Sequence, residues 1–392
     1  SIGNGNCNAV TDSMEIVFDP QPTVDAGVDQ VSCQNNVAVL LDGQIGGASG
    51  GIWSGGSGVF NPSNASLAAT YIPSPAEIAA GSLTLTLTST GNGLCSAVSD
   101  QMSITINPSP IVNAGSDQQA CANNPAFILN GSVQFASGGM WVGGNGTYNP
   151  SNTALNAIYT PTPAEISSGS IVLTLTSTGN GSCNEVSDQV QVIFTPAPVV
   201  NAGADQSVCA NNSTVNLIGS VSGAGGGTWT GGLGSFSPNN TSLNVLYTPS
   251  PSEIADGNVV LTLTSSGNGT CSPVSDDIEI TITPAPVVEA GTNITTCVDE
   301  LEVQLNGTVS GPTSTGAWSS SGTGFFTPNN LVLNPTYVIS SQDSINGGIT
   351  LFLSSTGNGN CLAVSDSILV NVFPVGIAAA GPDQEVCGNN SI

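Results

Sequence analysis

The chain has 392 residues with no Lys, Arg or His, set against 26 Asp plus Glu, for a formal net charge of −26. An average soluble chain is about a quarter charged, so the missing cations are a selected property, and they exclude nucleic-acid binding by counterion release and attraction to anionic lipid through polybasic segments. With them go the Ser/His/Asp, Cys/His and Ser/Lys catalytic units and any Lys–Asn isopeptide staple.

In chain order, every landmark recurs at 88 residues: Cys33, Cys121 and Cys209; Cys7, Cys95, Cys183 and Cys271; Trp53, Trp141 and Trp229. A fixed period this long means one folded unit strung in tandem. Residues 1–22 read as the C-terminal part of a truncated repeat. Pro-x-Pro at Pro20/Pro22, Pro108/Pro110, Pro196/Pro198 and Pro284/Pro286 then punctuates repeats 23–110, 111–198, 199–286 and 287–376, because proline fixes φ and stiffens a short connection. The fourth repeat is two residues longer, with one extra residue on each side of Trp318 in Gly/Ser-rich stretches. Residues 377–392 read as the N-terminal part of another truncated repeat.

Within 199–286 the β-rich runs predict about seven strands: Val199 to Val208, Val215 to Val221, Gly227 to Thr230, Ser235 to Ser237, Val245 to Tyr247, Val259 to Thr264 and Ile278 to Thr283. Alternation is clean in Val259/Leu261/Leu263 against Val260/Thr262/Thr264, as in a sheet with one buried face. A single helical turn is predicted per repeat. Ser74-Pro75-Ala76-Glu77, Thr162-Pro163-Ala164-Glu165 and Ser250-Pro251-Ser252-Glu253 are capping boxes with Pro at the first helical position, Gly81, Gly169 and Gly257 are stops, and Ser340 to Asp343 with Gly347 keeps the logic. Seven short strands with one Trp on the third predict an all-β fold of tandem immunoglobulin-like sandwiches. With 39% hydrophobic residues, such a chain can bury cores and need not be disordered.

The ten cysteines, Cys7, Cys33, Cys95, Cys121, Cys183, Cys209, Cys271, Cys297, Cys361 and Cys387, fall two per repeat and predict disulfides and an oxidising, extracellular setting. Zinc fails on spacing, since there is neither a CxxC pair nor a His. Three connectivities fit the period: Cys33–Cys95 within a repeat, which is the default; Cys33–Cys183 across a junction; and Cys95–Cys121. Immunoglobulin-like topology argues against the default, because it places Cys33 and Cys95 at opposite ends of a sandwich. No targeting segment precedes Ser1 and no run approaches the roughly 20 apolar residues of a membrane span, so the chain reads as a processed form or a window of something longer, without direct membrane insertion.

The recurring acids are the candidate chemistry. Calcium wants oxygen ligands, and Asp29, Asp117, Asp205 and Asp383 on the first strand are its candidate ligands, with Asp25 and Glu289 beside the linkers; Asn293 stands in the fourth copy. Otherwise no cofactor is expected. Asp12, Asp100, Asp188, Asp276 and Asp366 precede the last strand, where an Asx or Ser/Thr turn accounts for them. A glycosidase-like carboxylate pair would have to recur in every copy, so no enzymatic activity is expected. Trp53, Trp141, Trp229 and Trp318 suit either a sugar-stacking platform or, as expected for one per sandwich, a core anchor. Phe60, Tyr148, Phe236 and Phe326, with Tyr71, Tyr159, Tyr247 and Tyr337, join the same core.

Ala202-Gly203-Ala204-Asp205-Gln206-Ser207-Val208-Cys209, followed by Gly227-Thr228-Trp229 and Thr264-Ser265-Ser266-Gly267-Asn268-Gly269-Thr270-Cys271, resembles the PKD-like and Ig-like tandem repeats of giant secreted surface proteins of Bacteroidota, including gliding-motility adhesins. The likeness runs through all four repeats and both partial ends. It implies export to the cell surface and a spacer role between an anchored end and an active tip; Asp12-Ser13-Met14, Asp343-Ser344-Ile345 and Asp366-Ser367-Ile368 match the short O-glycan acceptor pattern of such bacteria. The expectation is a structural stalk or filament, a linear rod of sandwiches each about 35 to 40 Å long. Its partners would be neighbouring repeats or copies of itself, with any surface ligand bound by regions outside this chain. The rivals are an adhesin whose repeats bind glycan or protein directly and a self-assembling filament subunit.

Overall fold

The computed structural model describes residues 2–383 and 385. It divides into two compact units, Ser1–Pro196 and Ala197–Ile392, each holding two β-sandwiches on one plan. In the first sandwich the order is β1 (Thr23–Asp25), β2 (Gln30–Cys33), β3 (Val39–Leu40), β4 (Gln44–Gly46), β5 (Gly50–Ser54), β6 (Val59–Asn61), β7 (Thr70–Ile72), α1 (Pro75–Ala80), β8 (Ser82–Thr90) and β9 (Ser99–Asn107). Strands β2-β9-β8-β5 form a four-stranded sheet, β3-β7-β6 a three-stranded sheet, and β1 pairs with β4. The β2–β9 pairing is parallel, Gln30 opposite Ile104 and Cys33 opposite Asn107; β8 and β9 pair antiparallel with Leu85 opposite Met102.

The long strands form where Leu and Thr alternate. Leu85 and Leu87 point into the core with Met102, Ile104 and Ile106 from β9, and the Thr residues between them face outward or sit half-buried. The same residue classes build the core of the second sandwich of this unit, around Leu173, Leu175, Val190 and Val192. In the other unit the cores gather around Leu261, Leu263, Ile278 and Ile280 and around Leu351, Leu353, Ile368 and Val370. Each Trp is a core anchor, with Trp53, Trp141 and Trp229 0% exposed and Trp318 1%; none presents a face for a sugar. Tyr71, Tyr159, Tyr247 and Tyr337 are equally buried, and the partly buried Phe60, Tyr148, Phe236 and Phe326 pack against them, tilted or edge-on, at 4.7 to 4.9 Å between ring centroids.

Two of the seven expected strands are each broken in two. The run Val199 to Val208 forms Val199–Asn201 and Gln206–Cys209, which belong to different sheets. Between them the Gly203 N–H donates to Asn201 Oδ1 at 2.7 Å and Gly203 takes φ 97, a left-handed conformation that glycine alone adopts without strain, so the chain crosses from one sheet to the other. The run Val215 to Val221 breaks at Gly219. A Cβ there would stand 2.6 Å from Leu263 Cδ2 and 2.9 Å from Trp229 Cζ2. Gly43, Gly131 and Gly307 meet their own Trp and Leu the same way.

All four capping boxes form. Ser74, Thr162, Ser250 and Ser340 cap helices Pro75–Ala80, Pro163–Ser167, Pro251–Asp256 and Ser341–Ile345. The added residues of the fourth repeat fall in the turn before Thr315–Ser320 and in the loop between that strand and Phe325–Thr327.

Candidate functional site

Each four-stranded sheet presents a cysteine at both ends. Strand β8 and strand β9 are joined by the hairpin Gly91-Asn92-Gly93-Leu94-Cys95-Ser96. Ser89 closes it, donating its N–H to the Val98 carbonyl at 2.9 Å and accepting the Val98 N–H on its hydroxyl at 3.0 Å. The Cys95 N–H donates to the Asn92 carbonyl at 3.0 Å, and Cys7, Cys183, Cys271 and Cys361 do the same with Asn4, Asn180, Asn268 and Asn358. At the far end, β2 stops in the tight turn Cys33-Gln34-Asn35-Asn36, where the Asn36 N–H donates to the Cys33 carbonyl at 2.9 Å.

The default pairing of Cys33 with Cys95 is not formed. Strand β9 runs nine residues between the two ends, on the order of 30 Å, whereas a disulfide needs Cα atoms within about 7 Å. Instead Cys33 bonds Cys183 of the next sandwich in the same unit, with Cα atoms 4.9 Å apart. In the second unit Cys209 bonds Cys361 in the same way, again at 4.9 Å. Cys121 and Cys271 are also disulfide-bonded. Cys7, Cys95 and Cys297 carry free thiols, so the Cys95–Cys121 pairing is not formed either; Cys387 lies outside the described residues.

Around the disulfide, two asparagines make a clasp. Asn35 lays its side-chain amide against the backbone of Asn184, donating from Nδ2 to the carbonyl at 3.0 Å and accepting the N–H on Oδ1 at 3.0 Å. Asn36 Nδ2 donates to the Ser182 carbonyl at 3.1 Å, and Asn184 Nδ2 donates back to the Asn35 carbonyl at 2.8 Å. In the second unit Asn211 pairs with the backbone of Leu362 at 3.0 and 3.1 Å, and Asn212 reaches the Asn360 carbonyl at 3.3 Å. Nearly all these partners on the hairpin are main-chain groups, so the hairpin side chains can vary between Asn184 and Leu362. Both sulfurs of the first bond lie against the Pro108 carbonyl, at 3.8 and 3.5 Å, which seats the disulfide on the proline junction. The Cys-x-Asn-Asn pattern carries a role that the period alone does not announce. The available signal is that Asn35-Asn36, Asn123-Asn124 and Asn211-Asn212 recur while the fourth copy reads Cys297-Val298-Asp299-Glu300.

Three of the four calcium candidates are engaged by the backbone. Asp29, Asp117 and Asp205 each accept a backbone N–H from the last strand, from Ser103, Gln191 and Glu279 at 2.8, 2.9 and 2.9 Å. Asn293 accepts from Leu369 at 2.8 Å. One acceptor oxygen suffices for this job, which is why Asn replaces Asp without loss. Asp25 accepts from the Gly27 N–H at 2.8 Å, and Asp383 is exposed. Among the described residues no three Asp, Glu, His or Cys gather as a metal set. The second acid set does not shape its own turn as expected. Asp100, Asp188, Asp276 and Asp366 reach across to accept the N–H of Ala26, Ala114, Ala202 and Ala290 at 2.7 to 2.8 Å, tying the start of each sandwich to its last strand. These bonds, first from Ala26 and then from Gln101, hold the Asp100 carboxyl below the usual carboxylate range.

The capping acids form a second recurring network. Glu77 accepts from the Ser74 and Ser57 N–H groups and from the Tyr71 hydroxyl at 2.7, 2.7 and 2.8 Å. Burial alone would raise its pKa, but these donors outweigh burial and lower it. Glu165, Glu253 and Asp343 behave alike. Burial, then the bond to the carboxylate, pushes Tyr71 and Tyr247 up to about 12.

No family model matches this chain, and no curated protein matches it. Among solved structures the chain is similar to titin domains I67–I69, at 11% identity and a TM-score of 0.38 over 68% of this chain and 99% of that one. It is also similar to Drosophila N-cadherin EC1-4, at 12% and 0.32 over 89% and 100%, and to Sidekick-1 immunoglobulin domains 1–5, at 13% and 0.28 over 90% and 81%. Scores this low carry nothing about function.

Proposed function

We propose that the chain is a load-bearing segment of an extracellular stalk, in which disulfides staple one repeat to the next across stiff proline junctions. The single observation that supports this is the covalent topology. Cys33–Cys183 and Cys209–Cys361 span 150 and 152 residues and run from the end of one sandwich to the hairpin of the following one. Tension entering at Cys33 passes through sulfur to Cys183 and bypasses residues 34–182. The disulfides also agree with an oxidising, extracellular location. On this reading the repeats are 23–110, 111–198, 199–286 and 287–376, and the chain is of the kind found in giant surface proteins of Bacteroidota. The chain's own chemistry supports a non-enzymatic role: its recurring carboxylates are spent on backbone N–H groups and its Trp faces are buried.

Single-molecule stretching tests the proposal. With the two bonds intact only roughly 90 residues, on the order of 300 Å, are free to extend; after reduction, stepwise unfolding should release about four times that contour. Equal extension before and after reduction would overturn the proposal. Saturable glycan binding mapping to every repeat would replace it with the adhesive reading.

A further inference from the structure

The first sandwich carries a vacant copy of the clasp. Its hairpin holds Cys95 in the same turn as Cys183 and Cys361, with the Cys N–H on the Asn carbonyl at 3.0 Å in all three. The Pro20 carbonyl lies 3.9 Å from Cys95 Sγ, as Pro108 and Pro284 lie beside Cys183 and Cys361 at 3.5 and 3.7 Å. Those two hairpins are each filled by a Cys-x-Asn-Asn turn. The Cys95 thiol is free and Leu94 beside it is 99% exposed.

The approach to this hairpin is vacant as well. A Cys-x-Asn-Asn turn reaches its hairpin because the strand before it pairs in parallel with the strand running into the proline junction, as Gln30–Cys33 does with Ile104 to Asn107 ahead of Pro108. Residues 11–19 run into Pro20 in the same way, and Met14, Ile16 and Phe18 match Met102, Ile104 and Ile106 at 88 residues. The latter three are buried. Met14, Ile16 and Phe18 are 83%, 63% and 89% exposed, and no strand includes them.

We propose that residues 11–19 and the Cys95 hairpin form a docking site for a further repeat of this kind, whose first strand pairs with residues 16–19 and whose Cys-x-Asn-Asn turn bonds Cys95. The site rests on the stalk reading, since it extends the same staple by one repeat. The bond forms by exchange: the Cys95 thiolate attacks one sulfur of an incoming disulfide and expels the other as thiolate, which takes a proton, so no net oxidation occurs. Cys297 has the complementary position on its own repeat, but its turn carries Asp299 and Glu300. A carboxylate accepts an N–H but cannot donate to a carbonyl, so this turn makes only half of the amide pair.

The test uses the whole chain and the symmetrical disulfide of a synthetic peptide with the sequence of residues 28–37, beside the same peptide with both asparagines changed to alanine. Mixed disulfides at equilibrium are counted by peptide mapping. We expect Cys95 to hold about tenfold more of the native peptide than of the alanine peptide, given three lost hydrogen bonds, and Cys297 to show no preference. Ile16→Asp with Phe18→Asp, which lies outside every strand and so leaves the sandwiches folded, should lower capture at Cys95 alone. Equal capture of both peptides at Cys95, or no effect of the double variant, overturns the proposal. Either result leaves the stretching experiment untouched, so the stalk reading and the docking site fail separately.

Discussion

At the scale of single residues, two small choices carry much of the repeat. Gly43 has ordinary backbone angles, yet a Cβ there would stand 2.7 Å from both Trp53 Cζ2 and Leu87 Cδ2. The missing side chain leaves that room to the Trp ring and the Leu methyl. Gly43→Ala overpacks a rigid core and should destabilise the first sandwich by about 1–3 kcal/mol; hydrogen exchange should accelerate in residues 82–107 and stay unchanged in the second unit. The asparagines of the clasp act differently, because they hold no core. Changing Asn211 and Asn212 to alanine removes three of the bonds around Cys209–Cys361. At about 0.5–1.5 kcal/mol each, their loss should make that disulfide at least about tenfold easier to reduce in a glutathione buffer, with unfolding in urea nearly unchanged.

At the scale of the element, the capped helical turn is where sequence and structure agree most closely, and where pH acts. Glu77, Glu165, Glu253 and Asp343 have lowered pKa values in the folded chain. Their contribution to stability is therefore present above the unfolded carboxylate value near 4 and is lost as pH falls through the folded one. The tyrosines run the other way. All five are raised, so the stability they contribute is present below pH 10 and is lost as pH climbs from about 10 towards and beyond 12. Absorbance at the phenolate band should therefore stay flat past pH 10 and rise together with the loss of circular dichroism. Glu253→Gln should bring part of that rise to lower pH through Tyr247; an unchanged titration would show that burial alone sets it. The capping boxes were readable because Ser-Pro-x-Glu names both partners within four residues. The Glu–Tyr bonds were not, because Tyr71 reaches Glu77 only after β6, β7 and α1 have packed. The same distinction separates the strands from the disulfides: alternation along Val259 to Thr264 is local, whereas the pairing of Cys33 with Cys183 depends on which end of a sandwich each residue occupies. The role of Asp100 is hidden from the sequence for the same reason, since its partner Ala26 is 74 residues away.

At the scale of the whole molecule, the absence of cations turns a set of surface details into one collective property. Every side-chain charge at neutral pH is a carboxylate, and with no Lys, Arg or His no side-chain ion pair can screen one copy from the next. Copies at pH 7 therefore repel one another through the full net charge of −26. Below about pH 4 the carboxylates protonate and nothing positive remains on the side chains, so the chain passes to near-neutrality instead of reversing sign as an ordinary protein does. Association of surfaces rich in Ser, Thr, Asn and Gly should follow, as for proteins near zero net charge. The lost capping-acid contribution falls in the same window, and the two effects separate by order and by reversibility. Light scattering should rise on acidification at low salt while the Trp fluorescence of the buried anchors is still native, and should reverse on return to pH 7. At neutral pH, added salt should promote the same association by screening. Scattering that appears only after the fluorescence has changed would assign the acid behaviour to unfolding of the sandwiches, and repulsion between intact chains would then have no part in keeping them apart.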